Sequence, residues 1–258
     1  MNRLAALLAA GYLFLSPLVS EAALPMITDD AGTQGKGKFQ IEAAAEHDRD
    51  KEEFAGVTTR EADYAVAAAF TAGVADTLDL AIATPYLWNS SNDDLGQSSR
   101  VDGTGDTLVV AKWRFLEKKG VGLALKPFVG LPTGNDNKGL GSGKVNYGLF
   151  FITSAEQEPW AVHFNLGYTR NLNTIGERTD IWRISAAAVY SVSKHWKLCA
   201  DTGIRTNTDK TSETEPAYLL AGFIYAPAEN LELSLGVLQG LNDETTDWAV
   251  LPGVTYRF

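Results

Sequence analysis

From Trp160 to Arg170 the chain alternates with a period of two: Trp160, Val162, Phe164, Leu166 and Tyr168 on one face, His163, Asn165, Gly167 and Thr169 on the other. Successive side chains of extended backbone point to opposite sides, so this rhythm predicts a strand. It recurs from Lys38 (Phe39, Ile41, Ala43, Ala45 against Gln40, Glu42, Ala44, Glu46) and over 60–71, 77–88, 105–116, 121–132, 144–154, 180–192, 196–206, 231–241 and 247–258. Residues 215–226 are apolar on both faces, which leaves their phase open. About twelve strands result, each near the ten-residue length of a membrane-spanning strand.

The connections alternate too. Short ones fall at Gly73, Glu117, Glu156, Ser193 and Pro227, and long polar ones at 48–59, 89–104, 134–143, 171–179, 207–214 and 242–246. The last strand, DWAVLPGVTYRF, ends on Phe258 with no helix after it. Its free edge needs a partner, and pairing with the first strand closes a barrel. The pattern predicts an all-β, transmembrane, antiparallel up-and-down barrel with short periplasmic turns and longer extracellular loops, its apolar face in lipid. Trp88, Trp113, Trp160, Trp182, Trp196 and Trp248, with Tyr256 and Phe258, fall near predicted strand ends, where aromatic rings favour the membrane interface. The competing arrangement is a secreted sandwich, with the same residues packed on a second sheet.

Composition changes this picture little. A mean hydropathy of −0.10 looks soluble, but a barrel whose every second residue faces a wet interior averages the same way. Glycine is frequent, at 24 of 258 residues. The N-terminus adds an address: Arg3, an apolar stretch from Leu4 to Leu15, then Ser20-Glu21-Ala22 as a small-x-small cleavage signal. Residues 1–22 read as a signal peptide, 23–37 as a periplasmic segment or a plug in the barrel mouth, and 38–258 as the barrel. The net charge of −10 survives cleavage, since Arg3 and Glu21 cancel, and it disfavours nucleic acid as a partner. Cys199, the only cysteine, excludes an internal disulfide.

The face opposite the aromatics defines a predicted lumen. Glu42, Glu46, Asp63, Asp79 and Glu232 make one wall mostly acidic. Lys112, Arg114, Lys126, Arg183, Lys197, Asp201, Arg205 and Arg257 make the other mostly basic, and His163 also points inward. Such walls either set a transverse field across a pore or pair with each other and fill the interior. Inward alanines and glycines, among them Gly122, Ala124, Gly167 and Gly203, favour free space. The chemistry of catalysis is thin: of the three histidines, His163 is expected across from Ala187 without a serine in reach, and His47 lies by Asp48 and Asp50 at the outer rim. No metal site or cofactor is expected; Asp93, Asp94 and Asp102 lack calcium-loop spacing.

The stretch ITDDAGTQGKGKFQIE, with Asp29, Asp30, Gly32, Thr33, Gly35 and Gly37, and the stretch GLPTGNDNKGLGSG resemble the outer-membrane family named for a MetA pathway of phenol degradation. The resemblance spans nearly the whole mature chain and implies a barrel that passes aromatic or other poorly soluble compounds, with no catalytic residues to carry over. The expected partners are outer-membrane lipid of a Gram-negative cell, a small solute, and the barrel-assembly machinery acting on the strand that ends in Phe258. The alternatives are a closed structural or adhesive barrel acting through its loops, and, more remotely, a lipid-active enzyme.

Overall fold

The computed structural model describes residues 24–54 and 56–258; the expected signal peptide lies outside the described residues. Thirteen strands follow: β1 (Phe39–Phe54), β2 (Val57–Ala75), β3 (Leu78–Asp93), β4 (Ser98–Thr104), β5 (Thr107–Lys118), β6 (Val121–Leu131), β7 (Asn146–Gln157), β8 (Trp160–Arg170), β9 (Asp180–Ser191), β10 (Trp196–Arg205), β11 (Ala217–Ala228), β12 (Leu231–Gly240) and β13 (Trp248–Arg257). Every neighbouring pair is antiparallel. β2 pairs with β3, and β1 pairs with β13, so the sheet closes on itself.

Thirteen segments make twelve staves, because β4 and β5 lie end to end along β3. β4 pairs with the upper part of β3 (Tyr86↔Thr104) and β5 with the lower part (Ala83↔Leu108). The stave is broken at Gly105-Asp106, where the Asp106 carboxylate leaves the wall to accept bonds from Gly134 N and Ser142 N, at 2.9 and 2.8 Å.

Two expected loops prove to be mostly strand. The region 48–59 is a ribbon, paired from Asp48↔Asp63 to Phe54↔Val57, and 89–104 is a second ribbon formed by β3 and β4. Above the lipid both faces of a strand meet water, so the hydrophobic alternation that marks a strand disappears while the ladder continues.

The apolar face is bare. Ile41, Phe70, Leu80, Val162, Phe164, Leu219 and Val254 are all exposed, from every side of the ring. Among the described residues no second sheet covers them, which rules out the sandwich. Soluble proteins rarely expose a contiguous apolar patch beyond a few hundred Å², so lipid is the only solvent that suits this belt. Trp113, Trp160 and Trp196 lie beside the short turns, and Trp182 and Trp248 beside the long loops. Trp160 and Trp182 are each 54% exposed and pack at a tilt against cross-strand tyrosines, Tyr190 and Tyr168, with centroids 4.8 and 4.9 Å apart. Trp88 is half-buried against Tyr86. Tyr256 and Phe258 stack at 5.8 Å on the turn side.

Phe164 lies midway between these girdles. Phe164→Arg should cost about 2–4 kcal/mol of stability, the range for an arginine at the bilayer midplane, against about 0–1 kcal/mol for Leu241→Arg at the loop end. Equilibrium unfolding in vesicles measures both.

Candidate functional site in the barrel interior

The segment preceding β1 runs along the inner wall. Gly35 and Gly37 have φ of +88° and +79° and turn the chain at the base of β2, where Gly37 N donates to Gly73 O. A Cβ at Gly73 would collide with the Gly35 carbonyl. Thr33 Oγ1 donates to Asp76 O, and Gln34 N to Asp79 Oδ2. From there the chain passes β7 and β8 towards β10.

Extended backbone without a strand partner must still satisfy its N–H groups. Inward side chains do this. Ala31 N donates to Ser154 Oγ (2.8 Å), and Asp29 N to Asn165 Oδ1 (2.8 Å), whose Nδ2 donates back to Asp29 O. Ile27 N and Thr28 N both donate to Asp201 Oδ2, at 2.6 and 2.7 Å, and Tyr218 OH donates to Asp201 Oδ1. Apolar side chains complete the seat. Met26 packs with Cys199, Ala187 and Val189; Ile27 packs with Tyr218, Leu220, Leu238 and Leu251. Pro25 crosses Gly222 and Gly236 so closely that a Cβ on either would come within 2.9 Å of its ring.

Asp29 is the centre of the site. Its side chain is 1% exposed and bridges Lys112 Nζ (3.0 Å) and Lys126 Nζ, with Asp30 3.8 Å from Lys112. Two ammonium groups and two carboxylates thus balance inside the wall. Each lysine alone there would carry a several-kcal/mol desolvation penalty. Beside the lysines, towards the loop end, Phe128 and Phe150 form an aromatic pair with centroids 5.9 Å apart. Each ring lies over a glycine of the next strand, Gly148 and Gly167, and Lys126 Nζ is 5.5 Å from the Phe150 centroid.

The remaining inward charges divide by height. Near the turns Lys197 and Arg257 both pair with Glu232, at 3.1 and 2.9 Å, and Arg257 Nε donates to Gln40. Arg114 pairs with Glu117 and donates to Asp76 O. Glu42 and Asp79 are buried on the β1 and β3 side. Towards the loops, Glu46 and Asp63 on β1 and β2 face the half of the ring that carries Arg183 and Arg205. These two are cross-strand neighbours on β9 and β10, six staves round from β2 and β3. Charge pairing thus fills the lower half, while in the upper half the acidic staves and the staves that carry the two arginines lie on opposite sides of the ring.

The free space expected from small inward residues is occupied. Ala31 covers Gly122, Phe150 covers Gly167, and the Tyr218 ring covers Gly203. The loop 133–143 also folds inward: held by Asp106 and by Thr174 Oγ1 on Asp136 (2.8 Å), it buries Leu140 in one cluster with Leu24, Ala44, Ala65, Ala67 and Leu87. Burial of one leucine stabilises by roughly 1.5–3 kcal/mol.

The expectation that His163 has no serine in reach is corrected. His163 is opposite Ala187 on β9, but on its other side it pairs with Ser154 of β7, and Ser154 Oγ lies 2.8 Å from His163 Nδ1. The pair is buried, and the same Oγ accepts the Ala31 N–H, so it serves as an anchor for the segment. His47 points outward and stacks flat on Tyr64 at 4.2 Å, with Trp248 edge-on. With Tyr64, Trp88, Trp248 and Pro252 it walls an apolar cavity of about 560 Å³ at the β1–β13 seam. Asp93 caps its own turn and Asp102 accepts from Tyr86 OH. Among the described residues no group of three or more His, Cys, Asp or Glu side chains is placed to hold a metal ion.

A closed ladder, a bare apolar belt between two aromatic girdles and a polar interior define an outer-membrane β-barrel. The family described as MetA-pathway of phenol degradation matches residues 25–258, and the chain belongs to it. Comparison with curated protein sequences gives no significant match. Among solved structures, the COG4313 outer membrane channel from Pseudomonas putida F1 is similar at 15% identity and a TM-score of 0.69, over 89% of this chain and 98% of that one. The translocator domain of the autotransporter NalP from Neisseria meningitidis gives 11% and 0.59 over 99% and 97%, and the NanC porin 7% and 0.57 over 84% and 98%.

Gly236→Val should push Pro25 from its seat and speed maleimide labelling of Cys199, which Met26 covers, at least twofold, with the strand content by circular dichroism unchanged. A second expectation concerns pH. In the extracellular β1–β2 ribbon, burial and the carboxylates of Asp63, Glu52 and Asp50 push Glu61 up to about 7, and Asp50 is raised as well, by burial and then by Asp247. A carboxyl raised in the folded state destabilises that state once the unfolded group ionises. Ribbon stability should therefore fall as pH rises from about 4.5 to about 7. Amide exchange of residues 50–61 should be slower at pH 5 than at pH 8 after correction for intrinsic rates, and Glu61→Gln should flatten most of the difference.

Proposed function

We propose that the protein is a passive channel of the outer membrane for small, poorly water-soluble compounds, aromatic ones included, with residues 24–37 as its plug. One observation carries this reading. Between Leu24 and Gln34 the segment is tied to the wall by side chains such as Ser154, Asn165, Asp201, Lys112 and Lys126, and by no β ladder. Such a segment leaves without breaking the barrel. Behind it stands a wall with charges and aromatic rings, the surface that a small amphipathic solute needs.

The similarity to a structure whose name is outer membrane channel, and to porins, supports the same reading. The NalP likeness shows that this architecture also serves a translocator, so fold alone does not decide. A structural or adhesive barrel draws on the two ribbons that rise above the lipid. The lipid-active enzyme has the least support: Ser154, which is hydrogen-bonded to the His163 ring, is buried and its oxygen is engaged by the plug. The C-terminal strand ending on Phe258 is, in this proposal, also the element read by the barrel-assembly machinery.

Pure refolded protein in planar bilayers should show discrete conductance steps, and deletion of residues 24–34 should raise them several-fold. Silence of both proteins across voltage and salt would favour the structural barrel.

A further inference from the structure

We infer that Asp29 occupies the binding site of a solute carboxylate, and that small aromatic monocarboxylates release the plug by taking its place between Lys112 and Lys126. The inference rests on the channel reading and names a solute class for it.

The geometry is that of a ligand site already filled. Two ammonium groups on adjacent strands, Lys112 on β5 and Lys126 on β6, converge on one carboxylate supplied by a segment outside the wall. The wall's own groups form the half that stays behind if the segment withdraws. That half pairs cations with a flat apolar surface: Phe128 follows Lys126 by two residues on the same face, Phe150 faces it from β7, and Leu108 and Val110 continue the apolar surface on β5. A ring against Phe128 and Phe150 places a carboxylate attached to it at the two lysines. An aliphatic acid of two carbons reaches the lysines without the ring contact, and a neutral aromatic alcohol meets the rings without the charge.

The linkage follows from mutual exclusion. A ligand shifts a two-state equilibrium only by its differential affinity for the two states. A carboxylate at Lys112 and Lys126 binds only the state with Asp29 withdrawn, so it draws the plug out in proportion to its occupancy. Withdrawal of Asp29 pulls on its neighbours Thr28, Ile27 and Met26. Met26 covers Cys199, the only cysteine in the chain, which is thereby a built-in reporter.

The test uses the full barrel refolded into phosphatidylcholine vesicles and follows alkylation of Cys199 by a water-soluble maleimide. Sodium benzoate at millimolar concentration should accelerate labelling at least tenfold, benzyl alcohol and sodium acetate less than twofold. Lys112→Gln/Lys126→Gln should abolish the benzoate effect, and Asp29→Asn should be labelled fast without benzoate. Equal acceleration by benzoate and benzyl alcohol, or none by either, overturns the inference on the wild-type protein alone, whatever the variants do. The two readings separate: a barrel that conducts but labels identically with and without benzoate refutes the carboxylate site alone, whereas benzoate-dependent labelling in a barrel that never conducts refutes the channel and leaves the site standing.

Discussion

A strand edge in hydrocarbon has no water to turn to, and the rest of the molecule depends on that. Every backbone group of a stave must be paired by a neighbour, so the sheet has to close. Closure falls on β1 and β13, whose ladder runs from Gln40↔Arg257 to Ala44↔Gly253 and resumes at His47↔Val250. The gap falls opposite Pro252, which has no N–H to give. With the outer face committed to lipid, period-two alternation sends the charged residues of the membrane-spanning staves into one enclosed space.

That enclosed space sets the second problem. Charges held away from bulk water must be paired or hydrated, and the ion pairs of this interior answer that constraint. Near the turns Glu232 serves Lys197 and Arg257, and Asp29 serves Lys112 and Lys126 from a segment that is not part of the wall. Towards the loops the acidic β1–β2 side and the Arg183 and Arg205 side stand apart across the ring. A segment held by side chains neutralises the lower lysines, and in the proposed channel its withdrawal would leave a cationic, aromatic surface.

The wall was legible in the sequence because lipid imposes a strict rule on it. Eleven of the twelve staves are visible as alternation, and the pairing of first with last strand is visible too. Legibility ends where that rule lapses. The β1–β2 and β3–β4 ribbons rise into water and lose their apolar face, so they read as loops. β11 looks apolar on both sides because its inner residues Tyr218, Leu220 and Ile224 face a covered interior, two of them packing with Ile27. Asp29 stood inside the family's DDAGT motif, yet nothing local reveals that its partners lie 83 and 97 residues away. His163 shows the same limit: only the registers on both sides of β8 reveal Ser154 as its neighbour.

The account stands on two statements about the same staves, that one face meets lipid and that the other is covered by residues 24–37. Spin labels placed one at a time along 161–168 of β8, in a Cys199→Ser background in vesicles, test both at once through collisions with oxygen, which concentrates in lipid, and with a water-soluble nickel chelate. Positions 162, 164 and 166 should be open to oxygen, and positions 163 and 165 closed to both reagents. Free access of the nickel chelate at 163 and 165 would contradict the covered interior, and its access at 162, 164 and 166 would contradict the barrel in the membrane altogether.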